Sequence, residues 1–162
     1  MINLDNVNTA TLAFLGDAVY ELAIRKMLVE NGMNNADRLH RAAVKYVSAE
    51  GQSRAVKELS KDFLTPEEVR LVKRGRNHKT TSHPRNVDPR KYKQATGFEA
   101  LLGYLELSGD QERLDQVITE AIHVINGRRS RRDAAAPDGA ETRIEAQEAA
   151  GGEDAQSRRG QE

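Results

Sequence analysis

Residues 12–22 read LAFLGDAVYEL, an apolar stretch with a glycine and an aspartate side by side in its middle. Leu12, Leu15, Val19, Leu22 and Met27 recur at spacings of three to five, which predicts one face of a helix, and Phe14, Ala18 and Ile24 broaden it. Asn8 or Thr9 is placed to cap its start and Asn31-Gly32 to end it. Residues 96–107, TGFEALLGYLEL, have the same character, with Glu99 between Gly97 and Gly103 in an otherwise apolar helix. Aspartate is a poor residue for a helix interior, and glycine costs about 1 kcal/mol there relative to alanine. Two unfavourable local choices together point to function or to a close backbone approach. Small residues let two helices pack tightly, which would bring Asp17 and Glu99 toward each other. Adjacent carboxylates in apolar surroundings are costly unless a cation neutralises them. Mg²⁺, which takes a few carboxylates and keeps several waters, suits such a pair. The plainer reading pairs Asp17 with Arg25 or Lys26, or turns it to solvent with Glu21 one turn below.

The rest of the chain is also helical in pattern. Residues 36–60 read as one or two helices with Leu39, Ala42, Ala43, Val47, Ala55 and Leu59 inward, and Gly51 marks a break. Thr65-Pro66-Glu67-Glu68 combines an N-cap, a proline at the first helical position and a glutamate three after the cap. Gly75 then reads as the end of that helix, freeing Arg74 and Arg76. Asp88-Pro89 repeats the cap-plus-proline device and opens a helix to about Leu107. Asp110 opens the last helix, with Leu114, Val117, Ile118, Ala121, Ile122 and Ile125 on one side and Gly127 closing it. No segment alternates with period two. The expected fold is all-α, with five to seven helices and no internal repeat.

Composition divides the chain of 162 residues. Residues 128–162 hold no aromatic residue and one large aliphatic, Ile144, beside 7 basic and 8 acidic residues. Such a stretch cannot offset its ordering entropy, so a disordered charged tail is expected there and one folded domain over 1–127. The absence of cysteine excludes disulfides, thiolate zinc sites and a cysteine nucleophile. No apolar run approaches the roughly 20 residues that cross a bilayer. The N-terminus lacks the basic region of a secretory signal, so a cytoplasmic protein with no membrane association is expected.

Net charge is near zero, yet its distribution is not even. Between Arg70 and Lys93 lie nine basic residues against one acid, Asp88. The centre of this stretch, GRNHKTTSHPRN at residues 75–86, has no apolar residue and must be an exposed loop. A solvated surface loop is one reading. The other is a polyanion-binding loop built from Lys73, Arg74, Arg76, Asn77, Lys79 and Arg85, since phosphate contacts draw on this mixture of donors. It lacks interleaved aromatics for stacking single-stranded bases, so shape-based contact with an RNA duplex fits better.

LAFLGDAVYEL and TGFEALLGYLEL resemble the two signature helices of ribonuclease III domains. The KRGRN string at 73–77 and the order of elements from about 9 to 125 are similar to the short bacterial form, Mini-ribonuclease III. The resemblance implies an all-α homodimer that cuts double-stranded RNA with Mg²⁺, or Mn²⁺ as a substitute. It also implies end maturation of the large-subunit (23S) ribosomal RNA precursor, with a large-subunit ribosomal protein as a further partner. By motif match, Asp17 takes the place of the catalytic aspartate and metal ligand, and Glu99 that of the late metal-ligating glutamate. Full-length members carry glutamates one and two turns before that aspartate and an aspartate shortly before the late glutamate. Here those places hold Ala13, Ala10 and Thr96. Glu21 is the nearest further ligand; Asp88 is better read as a helix cap. The thinned acid set leaves open a second class of function, a non-catalytic RNA-binding or ribosome-assembly protein that keeps the fold.

Overall fold

The computed structural model describes residues 3–79 and 83–127. The tail expected over 128–162 lies outside the described residues, as do Thr80, Thr81 and Ser82 of the basic loop. A short 3-10 turn, Leu4–Asn6, precedes six helices: α1 Thr9–Glu30, α2 Ala36–Val47, α3 Ala49–Asp62, α4 Pro66–Arg76, α5 Pro89–Ser108 and α6 Gln111–Ile125. The described residues contain no strand, and the all-α expectation holds.

Local chemistry sets most boundaries. Asn8 caps α1 by accepting from the Ala10 amide at 2.8 Å. Thr65 and Glu68 form a reciprocal capping box at α4, at 3.2 Å and 2.8 Å. Asp88 caps α5 through the Arg90 amide at 2.8 Å, and Asp110 caps α6 through Arg113 at 3.1 Å. Two glycines behave otherwise than the sequence predicts. The break in residues 36–60 falls at Ser48, whose hydroxyl caps α3, and not at Gly51. Gly51 lies in the first turn of α3, where a Cβ would sit 2.3 Å from the Lys45 carbonyl oxygen. Gly75 does not end α4, which continues through Arg76; it is buried against Gly97 and Ala100 of α5. Both are required by close backbone approach, which sequence punctuation cannot separate from a turn.

Helix α5 is the centre of the domain, touched by α1, α3, α4 and α6. Its Phe98, Leu101 and Leu102 are fully buried, and Phe98 meets Tyr20 of α1 edge-on, with centroids 5.2 Å apart. The buried line of α1 is Leu12, Ala13, Gly16, Tyr20, Ile24 and Leu28. Of the predicted line, Leu12 is in the core and Val19 and Met27 pack at its margin, but Leu22 is rotated off it, 62% exposed. The glycine explains the rotation: the face of closest approach must be centred on Gly16, and Leu22 is displaced to its flank.

Candidate functional site

Two helices bring the acids together. A Cβ added at Gly16 would lie 1.7 Å from the Glu99 carbonyl oxygen, and one at Gly103 would lie 2.0 Å from the Leu12 carbonyl oxygen. No side chain fits either position, so α1 and α5 meet backbone to backbone. Asp17 follows Gly16 at the edge of this seam, and Glu99 supplies the backbone that Gly16 touches.

The electrostatics follow from that contact. Burial pushes the Glu99 carboxyl up to about 7, the Asp17 charge adds to this, and a hydrogen bond from Gln52 opposes both. Asp17 is itself raised, by partial burial and then by the Glu21 charge. The repulsion within the pair falls on Glu99, the more buried of the two. No basic group acts on either carboxylate. Of the plainer reading, the pairing of Asp17 with Arg25 or Lys26 is not what the structure contains, but its other form is: Asp17 is exposed, with Glu21 one turn below. Arg25 instead bonds Glu21 at 3.0 Å, so Glu21 contributes charge near Asp17 but is held by its own partner. Asp88 is a helix cap. Thr96, where related domains carry an aspartate, gives its hydroxyl to the Tyr92 carbonyl at 3.0 Å.

Sequence reasoning missed Gln52. Its side chain on α3 is 2% exposed, and its Nε2 donates to Glu99 Oε1 at 3.1 Å and to the Val47 carbonyl at 2.9 Å. Its Oε1 is buried and accepts nothing among the described residues. An acceptor left so costs roughly 1–3 kcal/mol. The signal was present in the sequence: residue 52 is in register with Ala55, Val56 and Leu59, a polar residue on the inward face of α3.

The donor set fits one class of metal. Among the described residues no group of three or more His, Asp or Glu converges. Two carboxylates match Mg²⁺, which uses one or two carboxylates and retains much of its hydration, and do not match Zn²⁺. Asp17 and Glu99 are the residues that would hold it.

The basic stretch is built onto the same part of α5. Gly75 contacts Gly97 and Ala100, which flank Glu99, so the last turn of α4 is pinned beside the acid-bearing segment. That turn carries Lys73, Arg74 and Arg76, cations that also suit the negative end of the helix dipole. Lys73, Arg74, Asn77, Lys79 and Arg85 are exposed, and Arg76, half-buried, bonds Asn77 at 3.3 Å. Arg70 is held by Glu67 at 2.6 Å, and Lys91 is engaged by Glu50. The predicted contact set is therefore exposed apart from Arg76, with Lys73, Arg74 and Arg76 on the last turn of α4 and Asn77, Lys79 and Arg85 beyond it.

Comparison with known proteins gives the family of the chain. The ribonuclease III domain family matches residues 10–110. A protein named Mini-ribonuclease 3 from Thermoanaerobacter sp. is 44% identical over 120 residues, covering 74% of this chain and 84% of its own length. Another of that name from Streptococcus pneumoniae is 40% identical over 128 residues, covering 78% of this chain and 100% of its own. A crystal structure of a Fusobacterium nucleatum protein superposes with a TM-score of 0.64 at 35% identity, covering 72% of this chain and 93% of that one.

Proposed function

The chain belongs to the ribonuclease III family and is an endoribonuclease of that type, and on this premise we propose that it cuts double-stranded RNA with Mg²⁺ held by Asp17 and Glu99. The observation that carries the reading is the carboxylate pair on the Gly16–Gly103 seam, with Glu99 pushed up to about 7 and no basic group compensating it. A helix pair that served only for packing would gain by replacing Asp17; a cation makes the pair favourable. Members of the family use a divalent metal, and Mn²⁺ is the expected substitute.

The chain's own residues divide the work. Asp17 and Glu99 must both be ionised to hold a dication, so binding it removes the proton that burial keeps on Glu99. Held by Asp17 and Glu99, Mg²⁺ would supply Lewis-acid chemistry, polarising a scissile phosphate and making an attacking water more acidic. Lys73, Arg74, Arg76, Asn77, Lys79 and Arg85 hold the RNA backbone in register through its phosphates. The products are a 5′-phosphate and a 3′-hydroxyl.

Duplex RNA has antiparallel strands, so two sites related by a two-fold axis each meet one strand in the same orientation. The homodimer this needs is supported by α1, where Phe14 is 83%, Leu22 62% and Val29 57% exposed on one line with Ala18. A helix apolar beyond its core stripe calls for a second partner. The substrate that fits the resemblance is the large-subunit (23S) ribosomal RNA precursor, whose ends the enzyme would mature. Such a precursor carries large-subunit ribosomal proteins, one of which is the protein partner this reading implies. No helix among the described residues is long and apolar enough to cross a membrane.

The test is cleavage of labelled duplex RNA with Mg²⁺ or EDTA, by the wild type and by Asp17→Asn. Asp17→Asn should lose cleavage and keep its fold and RNA binding, with stability equal or higher because carboxylate repulsion is relieved. Cleavage by Asp17→Asn at the wild-type rate would refute the assignment.

A further inference from the structure

Helix α3 reaches the acid pair through one side chain. The Gln52 amide nitrogen has two hydrogens, and both are used, on Val47 O at 2.9 Å and on Glu99 Oε1 at 3.1 Å. The Val47 carbonyl is an acceptor only, and so is Glu99 once ionised. A reversed amide would set its oxygen against a carbonyl and a carboxylate, so the orientation is fixed by its partners. The Val47 carbonyl is at the C-terminal end of α2, where a helix leaves carbonyls without intrahelical donors. Gln52 is thus anchored at the α2–α3 corner, a corner made tight by Gly51, and from there it grips one oxygen of Glu99. Its own Oε1 is buried without a partner among the described residues. A side chain kept for packing alone would not leave an acceptor stranded. Glu99 Oε2 has no hydrogen bond among the described residues, so the grip fixes one oxygen and leaves the other for a cation.

We propose that Gln52 is a positioning residue for the metal site: its doubly anchored amide sets the direction in which Glu99 presents its free oxygen beside Asp17. The proposal rests on the reading of Asp17 and Glu99 as the metal ligands. Gln52 itself touches neither metal nor RNA. Residues of this kind, which orient a ligand through its second oxygen, change metal affinity by about 10–100-fold when removed.

The experiment uses the full chain, as wild type, Gln52→Met, Glu99→Gln and the double variant, with Mn²⁺ as the probe. Binding is read from the loss of the free Mn²⁺ signal in electron paramagnetic resonance, without RNA. Gln52→Met conserves shape, removes the donor and removes the stranded acceptor. It should melt in EDTA at or above the wild-type temperature, bind Mn²⁺ about tenfold more weakly, and raise the Mg²⁺ needed for half-maximal cleavage by a similar factor. In the Glu99→Gln background the same change should alter Mn²⁺ affinity by no more than about twofold. Should Gln52→Met fail to fold, Gln52→Asn, one methylene too short to span both acceptors, should show the same weakening. Wild-type Mn²⁺ affinity in the folded Gln52 variant, with Glu99→Gln weakened, overturns this proposal alone. Wild-type affinity in both Asp17→Asn and Glu99→Gln overturns the metal site and this proposal together.

Discussion

Adding one methyl group at Gly16 should both loosen the domain and misalign its acids. A Cβ there would stand 1.7 Å from the Glu99 carbonyl oxygen, 2.6 Å from its carbon and 2.8 Å from the Gly103 nitrogen. Carbon and carbonyl oxygen tolerate roughly 3.3 Å, so α1 and α5 must part by about 1.5 Å at this point. All three obstacles are backbone atoms, and no rotamer change can absorb the strain. Overpacking of cores costs typically 1–3 kcal/mol, and Gly16→Ala belongs at about 3 kcal/mol or above. The residue after Gly16 is Asp17 and the obstacle is Glu99 itself. A displacement of about 1 Å in a catalytic geometry can cost on the order of 100-fold in rate. Urea unfolding should therefore show the stability loss, and single-turnover cleavage by the folded fraction should fall by about 100-fold at saturating Mg²⁺. Gly109→Ala is the control: its φ of 74° strains an alanine, yet nothing lies within 4 Å of the added carbon. That variant should lose about 1 kcal/mol and keep its cleavage rate. Gly16→Ala with wild-type stability and rate would refute the account of the seam.

Three other outcomes are expected. Because Glu99 titrates near 7 in the folded chain against 4.5 when unfolded, the native state holds a proton that the unfolded state has released between those values. Metal-free protein should thus lose up to about 3 kcal/mol of stability as pH rises from 4.5 to 7, and melts of Glu99→Gln in EDTA should lack that slope; parallel profiles would refute the burial of the carboxylate. Replacing Arg74, Arg76, Lys79 and Arg85 by alanine should weaken duplex binding and lower its salt slope by about one unit per lost phosphate contact, and an unchanged slope would return these residues to ordinary surface. Phe14→Glu and Leu22→Glu should convert a species of about 36 kDa, twice the 18.0 kDa chain, to monomer in sedimentation equilibrium, and a wild type already monomeric would refute the two-site arrangement.

What could be read from the sequence was what local chemistry decides. Thr65-Pro66-Glu67-Glu68, Asp88-Pro89 and Asp110 each start a helix where they stand, because a cap needs only its own first turn. Asp17 and Glu99 stood out because they are costly in place. Gly51 and Gly75 were misread because a helix end and a tight interhelical contact both ask for glycine, and only the neighbouring helix distinguishes them. The face of α1 was misjudged for a related reason: the helix is apolar on its core side and on its exposed line through Phe14, Leu22 and Val29, so periodicity has no single direction to report. The register of Gln52 with Ala55, Val56 and Leu59 marks it only as an inward polar residue, and what it holds shows when Glu99, distant in sequence, is placed against it.

Helix α5 explains how the basic end of α4 and the acid pair are seated on one helix without cancelling. Over residues 97–103 it meets α4 through Gly75 and Gly97, and α1 through Gly16 and Gly103, with Glu99 between the two contacts. An arginine reaching Glu99 would hold its carboxyl down and fill the place a metal ion needs. Glu99 instead lies high, with burial and Asp17 as the causes and no cation among them. The glycine contact seats α4 by its backbone while Lys73 and Arg74 stay exposed, where phosphates are reached. The basic side chains thus stay outside the seam, while Glu99 in it and Asp17 at its exposed edge have no cation acting on them. Under the proposed metal-binding role a small carboxylate set would suffice, because burial of Glu99 strengthens the attraction of its charge for a bound cation.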